Sequence, residues 1–140
     1  MTLAPLLRAE WAIVIHAFPA IAAFFLGLVQ LVLPKGGTRH RLFGWLWVVL
    51  MAVTAGSSFF IHTICVIGGF SPIHLLSILT LVSLPLAVVH ARKHRIAAHA
   101  KSMKMLFFTA LVLAGAFTFL PGRIMHGVVF GGATVVGACR

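Results

Sequence analysis

The stretch LFGWLWVVLMAVTAGSSFFIHTICVI, residues 42–67, decides the fold. It contains no charged side chain, and about 20 predominantly apolar residues are enough for a helix to cross a bilayer. Three other runs are similarly apolar. Pro and Gly, which break helices, separate the first three runs and end the fourth, and a basic stretch separates the third from the fourth. The pattern predicts an all-α integral membrane bundle of four transmembrane helices in a single domain over residues 1–140, with helices at about 11–33, 42–67, 72–91 and 103–120.

The composition excludes several classes of protein. Of the 140 residues, 61% are apolar and 9% are charged, whereas a soluble domain carries about 25% charged residues. Too few polar side chains exist to cover a soluble surface or to keep the chain disordered. Glu10 is the one acidic residue. Hydrolysis by a pair of carboxylates or by a Ser-His-Asp triad is therefore excluded. Calcium and magnesium sites are excluded as well, because they need several oxygen ligands. A stand-alone enzyme is not expected.

The positive charge is distributed as membrane topology requires. Eight basic residues lie in two of the loops: Lys35, Arg39, Arg41, Arg92, Lys93, Arg95, Lys101 and Lys104. The opposite side carries only Arg8, Arg123 and Arg140. The positive-inside rule therefore places both basic loops in the cytoplasm and both termini outside, in a multi-pass protein of the bacterial inner membrane. Nucleic acid is not an expected partner, because the basic residues alternate with long apolar runs.

The tail, residues 124–139, is uncharged and short for a membrane span. It is interpreted as an interfacial or re-entrant segment. A fifth transmembrane helix, which would place Arg140 in the cytoplasm, is the alternative.

Small and weakly polar residues form a stripe on each of the first two helices. Such residues mark packed faces in lipid, where the hydrophobic effect does little to hold helices together. On helix 1 the stripe consists of His16, Ala20, Ala23, Gly27 and Gln30. On helix 2 it consists of His40, Gly44, Trp47, Met51, Thr54, Ser58, His62 and Cys65. The two stripes are expected to face each other.

Four of the eight histidines fall toward the outer side and are the candidate cofactor ligands: His16, His62, His74 and His126. His16 and His62 are expected at matched depth, roughly 7–9 Å inside the outer boundary at ~1.5 Å rise per residue. Two histidines so placed suit the axial ligation of a b-type haem, and the small residues Ala20, Ala23 and Gly27 would leave room for the macrocycle. Copper or zinc bound by the same pair with His74 or His126, or interhelical hydrogen bonding alone, are the alternatives.

The other four histidines lie toward the cytoplasm. His90, His94 and His99 stand among cations, which disfavour a metal ion, so a loop contacting lipid headgroups is expected there. Arg123 is expected to pair with Glu10 near the outer boundary and to close the bundle.

Three stretches resemble a widespread bacterial family of small predicted four-helix membrane proteins, catalogued as a domain of unknown function. They are RHRLFGWLWVVLMAVTAGSSFFI (39–61), GFSPIHLLSILTLVSLPLAVVHARKHRIAAHAKSM (69–103) and GAFTFLPGRIMH (115–126). The resemblance implies a membrane fold but no activity. It draws attention to His40, His74, His99 and Arg123, which lie at recurring points of the family pattern.

Two functions follow as hypotheses. The first is a redox-associated membrane protein that holds a b-type haem near the periplasmic face and exchanges electrons with quinone or a periplasmic partner. The second is a non-catalytic accessory subunit of a respiratory or photosynthetic membrane complex. In either case the chain contacts the lipid bilayer and is expected to form a homo-oligomer or to join a larger complex.

Overall fold

The structure is a computed structural model that describes residues 11–61, 72–121 and 123–130. Every regular element in these ranges is helical, which confirms the all-α prediction. Four helices are long and apolar enough to cross a membrane, and a short fifth helix follows them. We number them α1 (Trp11–Val32), α2 (Thr38–Ser57), α3 (Pro72–Arg92), α4 (Ile96–Phe117) and α5 (Ile124–Phe130).

Helix boundaries follow the residues that break helices. After α1 ends, Gly36 adopts φ +92°, a left-handed conformation that favours glycine. α3 begins at Pro72, whose fixed φ suits the first helical position. A 3₁₀ turn, Ser58–Phe60, continues α2, and a turn that includes His94 at φ 54° joins α3 to α4.

α4 begins at Ile96, seven residues before the predicted start at residue 103. The basic residues Lys101 and Lys104 suggested a loop, but both lie within this helix. Lysine has a long apolar stem that lets a helix continue into the headgroup layer while the ammonium group stays in water. The middle of α4, Phe107–Leu113, is a π-helical segment.

A tightly packed layer fills the middle of the bundle, and we call it the packed middle. Trp47 donates its indole N–H to the carbonyl oxygen of Ala23 at 2.9 Å. A Cβ atom at Gly27 would lie 2.6 Å from the ring of Phe107, so only glycine permits this approach. The buried members of the layer are Ala23, Trp47, Met51, Leu84, Leu106, Phe107 and Leu111. The predicted seam between α1 and α2 is confirmed where His16, Ala23 and Gln30 bond to α2. Ser58 instead bonds to Ser77 of α3, and His62 and Cys65 lie outside the described residues.

The outward faces of the helices are apolar. Phe25, Leu75 and Phe108 are each more than half exposed, as is expected of side chains that contact lipid. The bundle is therefore built as a membrane domain.

Candidate functional site at the two ends of the bundle

Polar side chains gather at the two ends of the bundle, on either side of the packed middle. We call one the serine end, where α1 and α3 begin and α2 ends. We call the other the basic end, where α1 and α3 end and α2 and α4 begin. The predicted topology places the serine end outside and the basic end in the cytoplasm.

His16 on α1 is held against the last turn of α2 at the serine end. Its Nδ1 lies 2.8 Å from the carbonyl oxygen of Thr54, and the Ser57 hydroxyl lies 3.4 Å from the same nitrogen. A carbonyl oxygen only accepts hydrogen bonds, so the Nδ1 atom of His16 is the protonated donor. In the neutral ring, the lone pair on Nε2 is then available to a ligand.

The rest of the serine end is buried and polar. Ser58 of the 3₁₀ turn and Ser77 of α3 are hydrogen-bonded through their hydroxyl groups, and each is less than a tenth exposed. His74 is also buried, and its ring centre lies 5.8 Å from that of Phe59. His16 and His74 therefore border the end of α2 from two different helices.

Of the remaining residues predicted near this end, the two that the structure describes, His126 and Arg123, are not part of this cluster. The ring of His126 lies on α5, 5.0 Å from that of Phe130. Arg123 precedes α5, and its backbone N–H donates to Leu120. His62 and Glu10 lie outside the described residues, so the His16–His62 and Glu10–Arg123 pairs remain predictions.

The space predicted for a macrocycle beside Ala23 and Gly27 is absent. Ala23 is fully buried, and the ring of Phe107 occupies the volume next to Gly27. That part of the prediction was wrong because large side chains from α2 and α4 fill the gap that the small residues leave. A group bound near His16 would have to lie on the serine-end side of the packed middle.

At the basic end, Gln30 and His40 form a reciprocal pair across the α1–α2 connection. The amide nitrogen of Gln30 donates to the backbone oxygen of His40 at 2.9 Å, and the Gln30 amide oxygen lies 3.1 Å from His40 Nδ1. These two contacts assign the nitrogen and oxygen atoms of the Gln30 side-chain amide, because the nitrogen must face the His40 carbonyl oxygen. His40 Nδ1 is therefore the donor in the second contact, as in His16.

His99 approaches His40 from α4. Its Nδ1 donates to the carbonyl oxygen of Ala87 on α3 at 2.9 Å. The ring centres of His40 and His99 lie 6.5 Å apart, with the ring planes at 86°. Residues from all four long helices thus meet at one place, which we call the basic-end cluster: Gln30, His40, Ala87 and His99.

The other histidines of the basic end differ in their surroundings. His94 is exposed in the α3–α4 turn, and contact of this turn with lipid headgroups remains a prediction. The loop prediction was wrong for His99, which lies inside α4 and bonds to α3. His90 has an Nδ1 atom that is buried and makes no hydrogen bond within the described part of the chain.

The sequence contained part of the signal for this cluster. Gln30 and His40 already stood on the two stripes expected to face each other. The family resemblance drew attention to His99, but its contact with α3 was not predicted, because the basic residues around it set the predicted start of α4 too late. Within the described ranges, no group of three or more His, Cys, Asp or Glu side chains could hold a metal ion.

The fold and the apolar outer faces define a multi-spanning helical membrane protein. The family model described as "Predicted membrane protein (DUF2306)" matches residues 13–139, and the chain belongs to that family. No curated protein and no solved structure matches the chain.

Proposed function

We propose that the protein binds a b-type haem at the serine end of the bundle and takes part in electron transfer in the bacterial inner membrane. His16 is one axial ligand in this proposal. The second is His62, as the sequence predicts, and His74 and His126 are the other candidates. The observation that carries the proposal is the hydrogen bond from His16 Nδ1 to the Thr54 carbonyl oxygen.

This hydrogen bond is the arrangement found at ligating histidines. A histidine that binds a metal almost always donates its other ring N–H to a carboxylate, a backbone carbonyl or water, which fixes the ring and its tautomer. His16 meets this condition without any rearrangement, because the acceptor is main chain of the neighbouring helix. Bound haem would supply one-electron redox chemistry, and quinone or a periplasmic partner would supply or accept the electron.

Donor chemistry also supports haem over a hard cation. The chain has a single carboxylate, Glu10, whereas calcium and magnesium require several oxygen ligands. Neutral imidazoles at the end of a helical bundle suit haem iron instead.

The test is the absorption spectrum of the full chain, purified in detergent after expression with haem supply. A six-coordinate low-spin b-type spectrum is expected. In His16→Asn, the asparagine amide can still donate to Thr54, but the Nε2 ligand is gone, so the serine-end haem should be lost while the fold survives. The matched control is His94→Asn, since asparagine tolerates the left-handed backbone at that exposed turn.

A colourless protein that binds no added haemin would overturn this proposal. The accessory-subunit function would then be favoured, with the histidines reduced to interhelical hydrogen-bonding groups. One observation supports that second candidate: only 17–33% of each candidate span is buried inside the chain, which leaves wide apolar faces for neighbouring helices as well as lipid. Co-purification of a defined membrane complex from its native membrane would test it.

A further inference from the structure

We infer that His40 and His99 are the axial ligands of a second b-type haem, at the basic end of the bundle. The inference extends the proposed function, because it adds a second cofactor of the same kind at the opposite end. It rests on contacts of the basic-end cluster that are independent of His16.

The spacing of the two rings fits ligands on opposite sides of one metal ion. With a metal–nitrogen bond of about 2.0–2.1 Å, the centre of a coordinated imidazole lies about 3.2 Å from the metal. Two such rings on opposite sides have centres about 6.4 Å apart, and two at a tetrahedral angle have centres about 5.2 Å apart. The observed separation of 6.5 Å is close to the value for axial ligands on opposite sides of one iron and exceeds the value for a tetrahedral pair.

Both rings are held through the nitrogen that would not bind the metal. His40 Nδ1 donates to the side-chain oxygen of Gln30, and His99 Nδ1 donates to the main-chain oxygen of Ala87. The two Nε2 atoms therefore carry lone pairs in the neutral rings. Gln30 is in turn anchored by its bond to the His40 backbone, so the ligands and the groups that orient them form one connected set.

The surrounding charges favour haem over a bare divalent ion. Nearby cations repel a simple metal ion, but haem carries two propionate groups that such cations stabilise. A cavity of about 400 Å³ adjoins His40, and Lys35 and Arg39 are among its lining residues. The lining of this cavity places two cationic side chains close to His40.

The experiment is a count of haem per chain, from pyridine haemochrome absorbance and protein concentration, in purified full-length variants. The wild type is expected to hold two haems. His40→Asn and His99→Asn should each hold one, because asparagine keeps the Nδ1-like donor and removes the Nε2 ligand. His16→Asn should also hold one haem, and His94→Asn should hold two.

Electron paramagnetic resonance provides a second readout that needs no variant. The imidazole planes of His40 and His99 are nearly perpendicular, and perpendicular axial imidazoles give a strongly anisotropic low-spin ferric signal. The oxidised wild type should show this signal. If an asparagine variant fails to fold, the absence of this signal from the wild type overturns the inference, and its presence together with two haems per chain supports it.

The outcomes separate this inference from the proposed function. One haem that is lost in His16→Asn but retained in His40→Asn and His99→Asn would overturn the basic-end site and leave the serine-end proposal intact. One haem with the reverse sensitivity would support the basic-end site and overturn the serine-end proposal. A protein without haem overturns both.

Discussion

At the residue scale, the oxygen that accepts a hydrogen bond from a histidine fixes which ring nitrogen carries the proton and which nitrogen keeps a lone pair. His16, His40 and His99 each donate from Nδ1 to an oxygen that cannot donate in return. His94, by contrast, lies exposed in a turn. The number of histidines in the sequence does not show which of them donate from Nδ1, because the donor depends on which carbonyl or amide oxygen the fold places near each ring.

Gly27 provides a test of the packed middle. Gly27→Ala should lower the stability of the detergent-solubilised protein by about 1–3 kcal/mol, the usual cost of overpacking a core. The added Cβ would lie 2.6 Å from the Phe107 ring and 3.0 Å from Trp47 Nε1. Thermal unfolding followed by circular dichroism measures the effect.

Gly56→Ala is the matched control, because a Cβ there has no neighbouring atom within 4 Å. The control should be neutral or stabilise the protein by up to about 1 kcal/mol, since alanine favours helix over glycine. Equal melting temperatures for Gly27→Ala and the wild type would show that α1 and α4 do not approach so closely.

At the element scale, the existence of the four long helices was easier to predict from the sequence than the residues at which they begin and end. Apolar length identified the four long helices, and the stripe pattern identified the seam between α1 and α2 from residues such as Ala23 and Trp47. The start of α4 could not be predicted in this way, because Lys101 and Lys104 are compatible with a loop and with a helix in the headgroup layer. The contact of His99 with α3 could not be predicted either, because it depends on His99 lying within α4.

A proline pair tests where α4 begins. Lys101→Pro should destabilise the protein by about 3 kcal/mol, because position 101 lies inside the helix and loses a backbone hydrogen bond. Ile96→Pro is the control, since the first helical position tolerates proline and Ile96 is 63% exposed. Melting temperatures in detergent compare the two, and equal tolerance at both positions would place the start of α4 beyond residue 101.

At the scale of the whole molecule, the asymmetry of charge predicts one orientation. A reporter active only in the periplasm should be silent when fused after Gly37 or Ala98 and active when fused after Arg140, because the positive-inside rule keeps the basic loops in the cytoplasm. Enzyme activity of each fusion in intact cells is the measurement. Activity after Gly37 would reverse the orientation, and silence only after Arg140 would favour the fifth-helix alternative for residues 124–139.

The packed middle also has an electrical consequence under the two-site proposal. From residue 16 to residue 30, α1 rises by about 21 Å at ~1.5 Å per residue, roughly two thirds of a hydrocarbon core about 30 Å thick. Ala23, Trp47 and Phe107, which lie in this interval, have no side chain that can relay a proton. No proton would then accompany an electron that moved between the two ends, so the electron's charge would cross about two thirds of the membrane voltage. The electrical work of this transfer is about 1.5 kcal/mol per 100 mV. The direction of electron flow would then depend on the voltage across the membrane.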